Sequence, residues 1–148
     1  NEERDIGVII SNDLKPSLQC SSAALKARRE LRRISMAFHF RDRNVFLRLY
    51  TTYVRPHLEF SIQAWSPYKN KHIDLIEGFQ KRAFRLVPEL RNMTYEKQLE
   101  ELNLTELVDR RIRGDMIETY KIISGKEGLN PSNFFQMSIS QEAEKSKE

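Results

Sequence analysis

The sequence predicts a mainly α-helical protein, a bundle of about five helices with one short β-strand at the N-terminus. Two observations predict this class. Apolar residues recur at steps of three and four along most of the chain, which is the period of an amphipathic helix. β-branched residues form one clear strand-like run, and residues that cap or break helices separate the other segments.

The first predicted element is a buried strand over 6–10, ended by a turn at Ser11-Asn12-Asp13. A lone strand cannot satisfy its own backbone groups, so we expect it to pair outside the chain or to fray. From Ser17 the period becomes helical. The stripe that should pack consists of Cys20, Ala24, Ala27, Leu31, Ile34 and Phe38.

The middle of the chain predicts two further long helices and a short one. Asp42 should cap a helix through about Val54, with Phe46, Leu49, Tyr50 and Tyr53 as its apolar face. Pro56 should break or kink this helix, and a short helix through Trp65 can restart there. After a loop at 66–70, a third long helix is expected over 71–87, with an apolar stripe of Ile73, Ile76, Phe79, Ala83, Phe84 and Val87.

The C-terminal part predicts two more helices and a tail. Thr94 should cap a short helix ending near Leu102, and Thr105 a longer one that Gly125 terminates. The core stripe of this last helix should be Val108, Ile112, Met116, Tyr120 and Ile123. We expect a strand and turn over 1–14, a helical domain over 15–136 and a disordered tail over 137–148.

The composition fits one globular domain. Of 148 residues, 39% are hydrophobic and 31% charged, which is too apolar for a disordered chain. No apolar run is long enough to cross a bilayer, so no membrane partner is expected. The N-terminus has no signal-peptide pattern, and its lack of an initiator Met predicts a piece of a longer chain. A single cysteine, Cys20, can form no internal disulfide, which predicts an intracellular protein.

The basic residues are concentrated in the first half of the chain. Residues 15–55 hold ten Lys/Arg against two acids, a balance of +8, whereas residues 94–148 hold eight against eleven, a balance of −3. On the first long helix, five cations lie within about 12 Å, at a rise of ~1.5 Å per residue. Lys26, Arg29 and Arg33 fall opposite the packing stripe, and Arg28 and Arg32 lie on one flank. Such a row can follow a phosphate backbone, although helices also carry solvated cations without a ligand.

The candidate nucleic-acid-binding residues follow from this distribution. The main set is Lys26, Arg28, Arg29, Arg32 and Arg33, which Arg41, Arg43, Arg48 and Arg55 could extend, and a smaller cluster is Lys81, Arg82 and Arg85. Trp65 and Tyr68 flank a loop where an exposed ring could stack on a base, and core packing is the alternative for both.

Little in the sequence points to catalysis. His39, His57 and His72 lie far apart without a motif, and Cys20 falls on a packing stripe. Asp13 follows a strand without a second carboxylate, so a turn is the better interpretation of it. The sequence therefore predicts no catalytic residue, no metal site and no cofactor for this chain.

Many blocks resemble the region downstream of the palm in LINE (non-LTR) reverse transcriptases of the jockey and chicken-repeat kind. They include Leu49-Tyr50, Val54-Arg55-Pro56-His57-Leu58-Glu59-Phe60, Gln63-Ala64-Trp65-Ser66-Pro67-Tyr68, Gln80-Lys81-Arg82-Ala83 and Arg85-Leu86-Val87-Pro88. Further blocks lie at 90–96, 99–104, 110–115 and 130–135, and Asp5-Ile6-Gly7-Val8-Ile9-Ile10 is similar to the strand that closes the palm. Phe60 lies at a position where a tyrosine is commoner in such reverse transcriptases. The resemblance covers about residues 4–135.

This resemblance implies a role in copying RNA into DNA. Such a polymerase uses two metal ions, Mg²⁺ in the parent protein, held by palm aspartates whose motif is absent from this chain. The helices would be a thumb that holds an RNA–DNA or DNA duplex beside an upstream palm, in the nucleus. The strand over 6–10 would then belong to the palm sheet. Two alternatives remain open, a helical protein-interaction module and an exapted or decayed retrotransposon remnant without polymerase activity.

Overall fold

The computed structural model describes residues 2–38 and 42–136 and confirms the predicted mainly α class. A hairpin of β1 (Glu2–Asp5) and β2 (Val8–Ser11) comes first, followed by α1 (Ser17–Ala37). A continuous helical segment then contains α2 (Arg43–Leu49), a π-helical turn (Tyr50–Val54) and α3 (Arg55–Glu59). The remaining elements are α4 (Ile62–Trp65), α5 (Asn70–Phe84), a 3-10 turn (Pro88–Leu90), α6 (Tyr95–Leu102), α7 (Leu107–Ile123) and a second 3-10 turn (Pro131–Asn133).

The backbone contacts divide the chain into two units, Asn1–Arg113 and Gly114–Glu148. In the first unit α1 is the central element, because it packs against β2, the π-helical turn, α3 and α5. The tail expected over 137–148 lies outside the described residues. Within 2–38 and 42–136, no helix combines the length and apolar character needed to cross a membrane.

The N-terminal strand pairs within the chain, so the expectation of a lone or frayed strand was wrong. β1 and β2 are antiparallel, with Asp5 opposite Val8 and Glu2 opposite Ser11. Ile6 and Gly7 form the connecting two-residue turn, and both have positive φ angles, as a type I′ hairpin turn requires. The sequence did not predict β1 because all four of its residues are exposed and none of them forms an alternating apolar pattern. The outward backbone N–H of Ile9 donates to Oε1 of the buried Gln19 at 2.9 Å, which ties β2 to α1.

α1 begins at Ser17 as predicted and buries most of the predicted stripe. Cys20, Ala24, Ala27 and Ile34 are buried, and Leu31 is partly buried against them. Phe38 was expected in this stripe but is 42% exposed, because the helix ends at Ala37 and Phe38 is already extended. The buried positions are mostly small, which lets the backbones of neighbouring elements approach α1 closely.

Pro56 widens the second helix rather than ending it. Asp42 caps α2 as predicted, since its Oδ2 accepts hydrogen bonds from the backbone N–H groups of Asn44 and Val45. Ahead of the proline the helix changes to a π-helical turn, in which the N–H of Arg55 donates to the carbonyl of Tyr50. The extra residue in this turn changes the phase of the helix. Val54 is therefore buried, and Tyr53, expected on the apolar face, is 56% exposed.

The predicted core stripe of the last helix was largely wrong. Val108 is partly buried, but Ile112, Met116, Tyr120 and Ile123 are 45% to 68% exposed. The buried residues of α7 are Leu107 and Arg111, near its N-terminus. Periodicity finds an apolar stripe but not what covers it, and within the described residues little packs on this one. Gly125 does end the helix, with a φ of 73° and a hydrogen bond from the N–H of Lys126 to the carbonyl of Lys121.

A buried polar network joins the helices of the first unit. Tyr50 donates its hydroxyl hydrogen to Oε1 of Gln80 at 2.7 Å, and Nε2 of Gln80 donates to the hydroxyl oxygen of Tyr95 at 2.8 Å. The Tyr95 hydroxyl donates in turn to Glu77. Glu77 also accepts the backbone N–H of Leu107 at 3.1 Å, and thereby caps α7 in place of Thr105, the predicted cap. The network fixes how α5, α6 and the start of α7 are arranged.

Burial raises the pKa of Glu77, mainly because its ionised form is removed from water. Between the ordinary pKa of 4.5 and the raised pKa of folded Glu77, the folded state therefore binds more protons than the unfolded state does. The contribution of Glu77 to stability is then largest at low pH and is lost as the pH rises through this window. We expect the free energy of unfolding of the wild type, minus that of Glu77→Gln, to increase from pH ~7 to pH ~4 in urea titrations. Glu100→Gln, at an exposed carboxylate of α6, is the control, and an unchanged difference for Glu77→Gln would contradict the expectation.

Candidate nucleic-acid interface

Five cations on α1 form the candidate interface, called here the α1 cation face. Its residues are Lys26, Arg28, Arg29, Arg32 and Arg33. The four arginines are exposed and Lys26 is partly buried, as expected for side chains opposite the buried stripe. Glu30 is the one acidic residue of this helix. The fold therefore turns a row of positive charge outward on its central helix.

Most of this face is free of competing acids. Arg33 forms an ion pair with Glu30, with Nη1 and Oε1 2.7 Å apart, while the other four cations make no ion pair with described residues. An exposed pair of this kind contributes little to stability, so Arg33 can exchange Glu30 for a phosphate at small cost. Apart from Arg33, the cations of this face have no carboxylate among the described residues to neutralise them.

The helical segment after α1 adds fewer unpaired cations to the α1 cation face than the sequence suggested. Arg43 forms an ion pair with Glu101, with Nη1 and Oε2 2.5 Å apart, and Arg55 lies 3.7 Å from Glu59 and is largely buried. Arg48 is exposed. Arg41 lies outside the described residues. Both arginines therefore have carboxylate partners. The exposed Arg43–Glu101 pair can be exchanged for a phosphate at small cost, as the Arg33 pair can, whereas Arg55 is much less exposed.

A second basic region lies at the C-terminal end of α5. Lys81, Arg82 and Arg85 are exposed, as the sequence suggested. Nζ of Lys81 lies 4.6 Å from the ring centroid of Tyr95, so this ammonium group is partly held by a cation–π contact. Arg82 and Arg85 are one helical turn apart and point to neighbouring positions on the surface.

Arg91 joins this region, and the sequence reasoning missed it. Its Nε donates to the backbone carbonyl of Arg85 at 3.4 Å, which brings its guanidinium group to the end of α5. The chain between them passes through the 3-10 turn Pro88–Leu90, which reverses the backbone after the helix. The available signal was a proline three residues before Arg91 and three after Arg85. Spacing alone does not show how a turn folds back.

The two candidate stacking rings behave differently. Trp65 is 4% exposed, and its indole N–H donates to the carbonyl of Phe60 at 2.8 Å. It belongs to the core, and the structure removes it from the stacking candidates. Tyr68 is 62% exposed, with Nζ of Lys69 5.8 Å from its ring centroid. It lines an open groove of about 450 Å³ together with Leu14 and Lys15.

Residues set aside as non-catalytic by the sequence have structural contacts. Cys20 is fully buried, and removal from water raises the pKa of its thiol to about 11, so it is a poor nucleophile. Asp13 accepts hydrogen bonds from Ser11 and Lys15 that hold its pKa well below its usual range and that shape the turn before α1. Nε2 of His72 lies 3.0 Å from Oγ of Ser17. Among the described residues, no three His, Cys, Asp or Glu side chains are grouped as metal ligands.

Comparison of the chain with protein-family models, curated proteins and solved structures gives no match.

Proposed function

We propose that the chain binds nucleic acid through the α1 cation face, as the thumb-side part of an RNA-directed DNA polymerase of the LINE reverse transcriptase type. The observation that carries the binding is a group of five cations on the central helix, four of them exposed, of which only Arg33 is ion-paired among the described residues. The polymerase context is supported by the sequence blocks that resemble the post-palm region. Mg²⁺ would be held by aspartates of an upstream palm, so no residue of this chain is assigned to it.

The chemistry of the face favours recognition of a backbone over recognition of bases. Arginine presents planar donors that match two phosphate oxygens at once, and a helix can place successive arginines along one strand. Such contacts are independent of sequence and weaken steeply as salt is added, by a slope of ~0.9 per phosphate for a duplex. A thumb must move along any template, which requires this tolerance of sequence.

The first test is charge reversal on the face. We expect Arg29→Glu/Arg32→Glu to raise the Kd for a fluorescently labelled RNA–DNA duplex at least ~10-fold at low salt, since two contacts become repulsive. Both residues are exposed and neither forms an ion pair with described residues, so the fold should remain intact. Fluorescence anisotropy with the whole 148-residue chain measures the affinity.

Lys97→Glu/Lys126→Glu changes the net charge equally at exposed positions outside both basic regions and is the matched control. We expect it to raise the Kd much less, because only the general attraction of the chain decreases. Equal losses in the two variants would show that net charge, and not the α1 cation face, causes binding. A wild type that binds the duplex no better than serum albumin does would reject the proposed function itself.

A further inference from the structure

Three arginines lie at the end of α5 without an ion-pair partner in the part of the chain that the structure describes. Arg82 and Arg85 lie one turn apart, and Arg91 reaches back to the carbonyl of Arg85 across the 3-10 turn. These residues, the α5 arginine cluster, are all exposed. None of them forms an ion pair with the residues at 2–38 and 42–136, although Glu89 lies in the turn between them.

This arrangement is unfavourable without a ligand. Guanidinium groups stay charged at any physiological pH, so neighbouring ones repel each other. The end of α5 lowers this cost, because the carbonyl groups at a helix C-terminus carry partial negative charge. The helix end does not remove the repulsion between the three guanidinium groups, because the one carbonyl that accepts from Arg91 cannot neutralise three cations. A group with several anionic oxygens would neutralise the cluster and accept several of its N–H donors at once.

We propose that the α5 arginine cluster is a second phosphate-binding site, so that the chain contacts a nucleic-acid duplex at two separate places. This inference rests on the proposed function, since the ligand is the same duplex. α5 packs directly against α1, so both surfaces belong to the same compact unit of the chain. Arg91 is thereby assigned a binding role that the sequence did not indicate.

Salt dependence can count the contacts of the two sites separately. The slope of log K against log salt concentration is negative, and its magnitude decreases by ~0.9 for every phosphate contact that is lost from a duplex. We expect Arg82→Ala/Arg85→Ala/Arg91→Ala to weaken binding of a short RNA–DNA duplex and to reduce this slope by about 2 to 3. Arg4→Ala/Lys97→Ala/Lys126→Ala removes the same charge elsewhere and should leave the slope nearly unchanged.

The charge-retaining variant Arg82→Lys/Arg85→Lys/Arg91→Lys separates binding from folding. It lacks the hydrogen bond from Nε of Arg91 to the backbone carbonyl of Arg85 but keeps the cations, so we expect most of the slope to be retained. A loss of binding in both the Lys and the Ala variants would mean that the arginines support the turn and would overturn the inference. An unchanged slope in the Ala variant would also overturn it.

The test of the second site can fail separately from the test of the proposed function. If Arg29→Glu/Arg32→Glu weakens binding and the α5 variants do not, the proposed function stands and the second site is rejected. If only the α5 variants weaken binding, the second site stands and the α1 cation face is rejected. Wild-type binding without salt dependence would overturn both.

Discussion

Replacing Phe84 by alanine is expected to lower the free energy of unfolding by about 3 to 5 kcal/mol, the usual cost of removing a buried phenylalanine side chain. Phe84 is fully buried at the end of α5. Its ring centroid lies 5.5 Å from that of Tyr50, edge to face, and 6.1 Å from that of Tyr95. Alanine leaves a cavity between the rings of Tyr50 and Tyr95 and removes both aromatic contacts.

Urea unfolding followed by Trp65 fluorescence measures this loss. Trp65 is the single tryptophan of the chain and is buried in the first unit, so its emission reports that unit. Phe60→Ala removes a 52% exposed ring and is the matched control, for which we expect a much smaller loss. A loss below ~1 kcal/mol for Phe84→Ala would contradict the packing described around it.

The second large effect is expected for Gln80→Leu, at about 2 to 3 kcal/mol of lost stability. Leucine has nearly the volume of glutamine, so the change removes hydrogen bonds rather than packing. The Tyr50 hydroxyl then loses its acceptor while it remains fully buried, and a buried donor without a partner carries the full cost of its desolvation. Burial also raises the pKa of Tyr50, so ionisation offers no relief.

A double-mutant cycle makes this test specific. Tyr50→Phe/Gln80→Leu removes both partners of the bond, so we expect it to cost less than the sum of the two single variants. Gln63→Leu, at an exposed residue of α4, is the control. Costs that simply add would contradict a direct coupling between the two side chains.

Helix positions were predictable wherever local chemistry determines them. Asp42, Thr94 and Gly125 act at helix ends as predicted, because capping depends on one side chain or one backbone conformation within a few residues. The buried stripe of α1 was predictable because a small, apolar face at helical spacing opposite five cations leaves little choice.

The remaining features depend on contacts that spacing does not encode. Glu77 caps α7 from a helix thirty residues earlier in the chain, so no local motif could identify it. β1 pairs through its backbone while its side chains are exposed. The apolar stripe of α7 follows the same pattern as that of α1, and only the structure shows that most of its side chains are exposed among the described residues.

The candidate interface also contains residues that the sequence predicts and residues that only the structure identifies. The α1 cation face follows from one helix and its period, so the sequence was sufficient to find it. The position of Arg91 beside Arg85, and the partners of Arg43 and Arg55, depend on a turn and on ion pairs. Trp65 and Tyr68 lie three residues apart, yet one is in the core and the other is on the surface.

The measurement that tests the central claim most directly is the salt dependence of duplex binding by the wild-type chain. Anisotropy titrations of an RNA–DNA duplex between about 50 and 200 mM salt give the slope of log K. With the α1 cation face as the only contact, we expect a linear decrease with a slope of about −3 to −5, because each of its cations that meets a phosphate contributes ~0.9. If the α5 arginine cluster binds as well, the slope should be about −5 to −8. A slope near zero, or no binding at the lowest salt concentration, would contradict a phosphate-binding function for this helix.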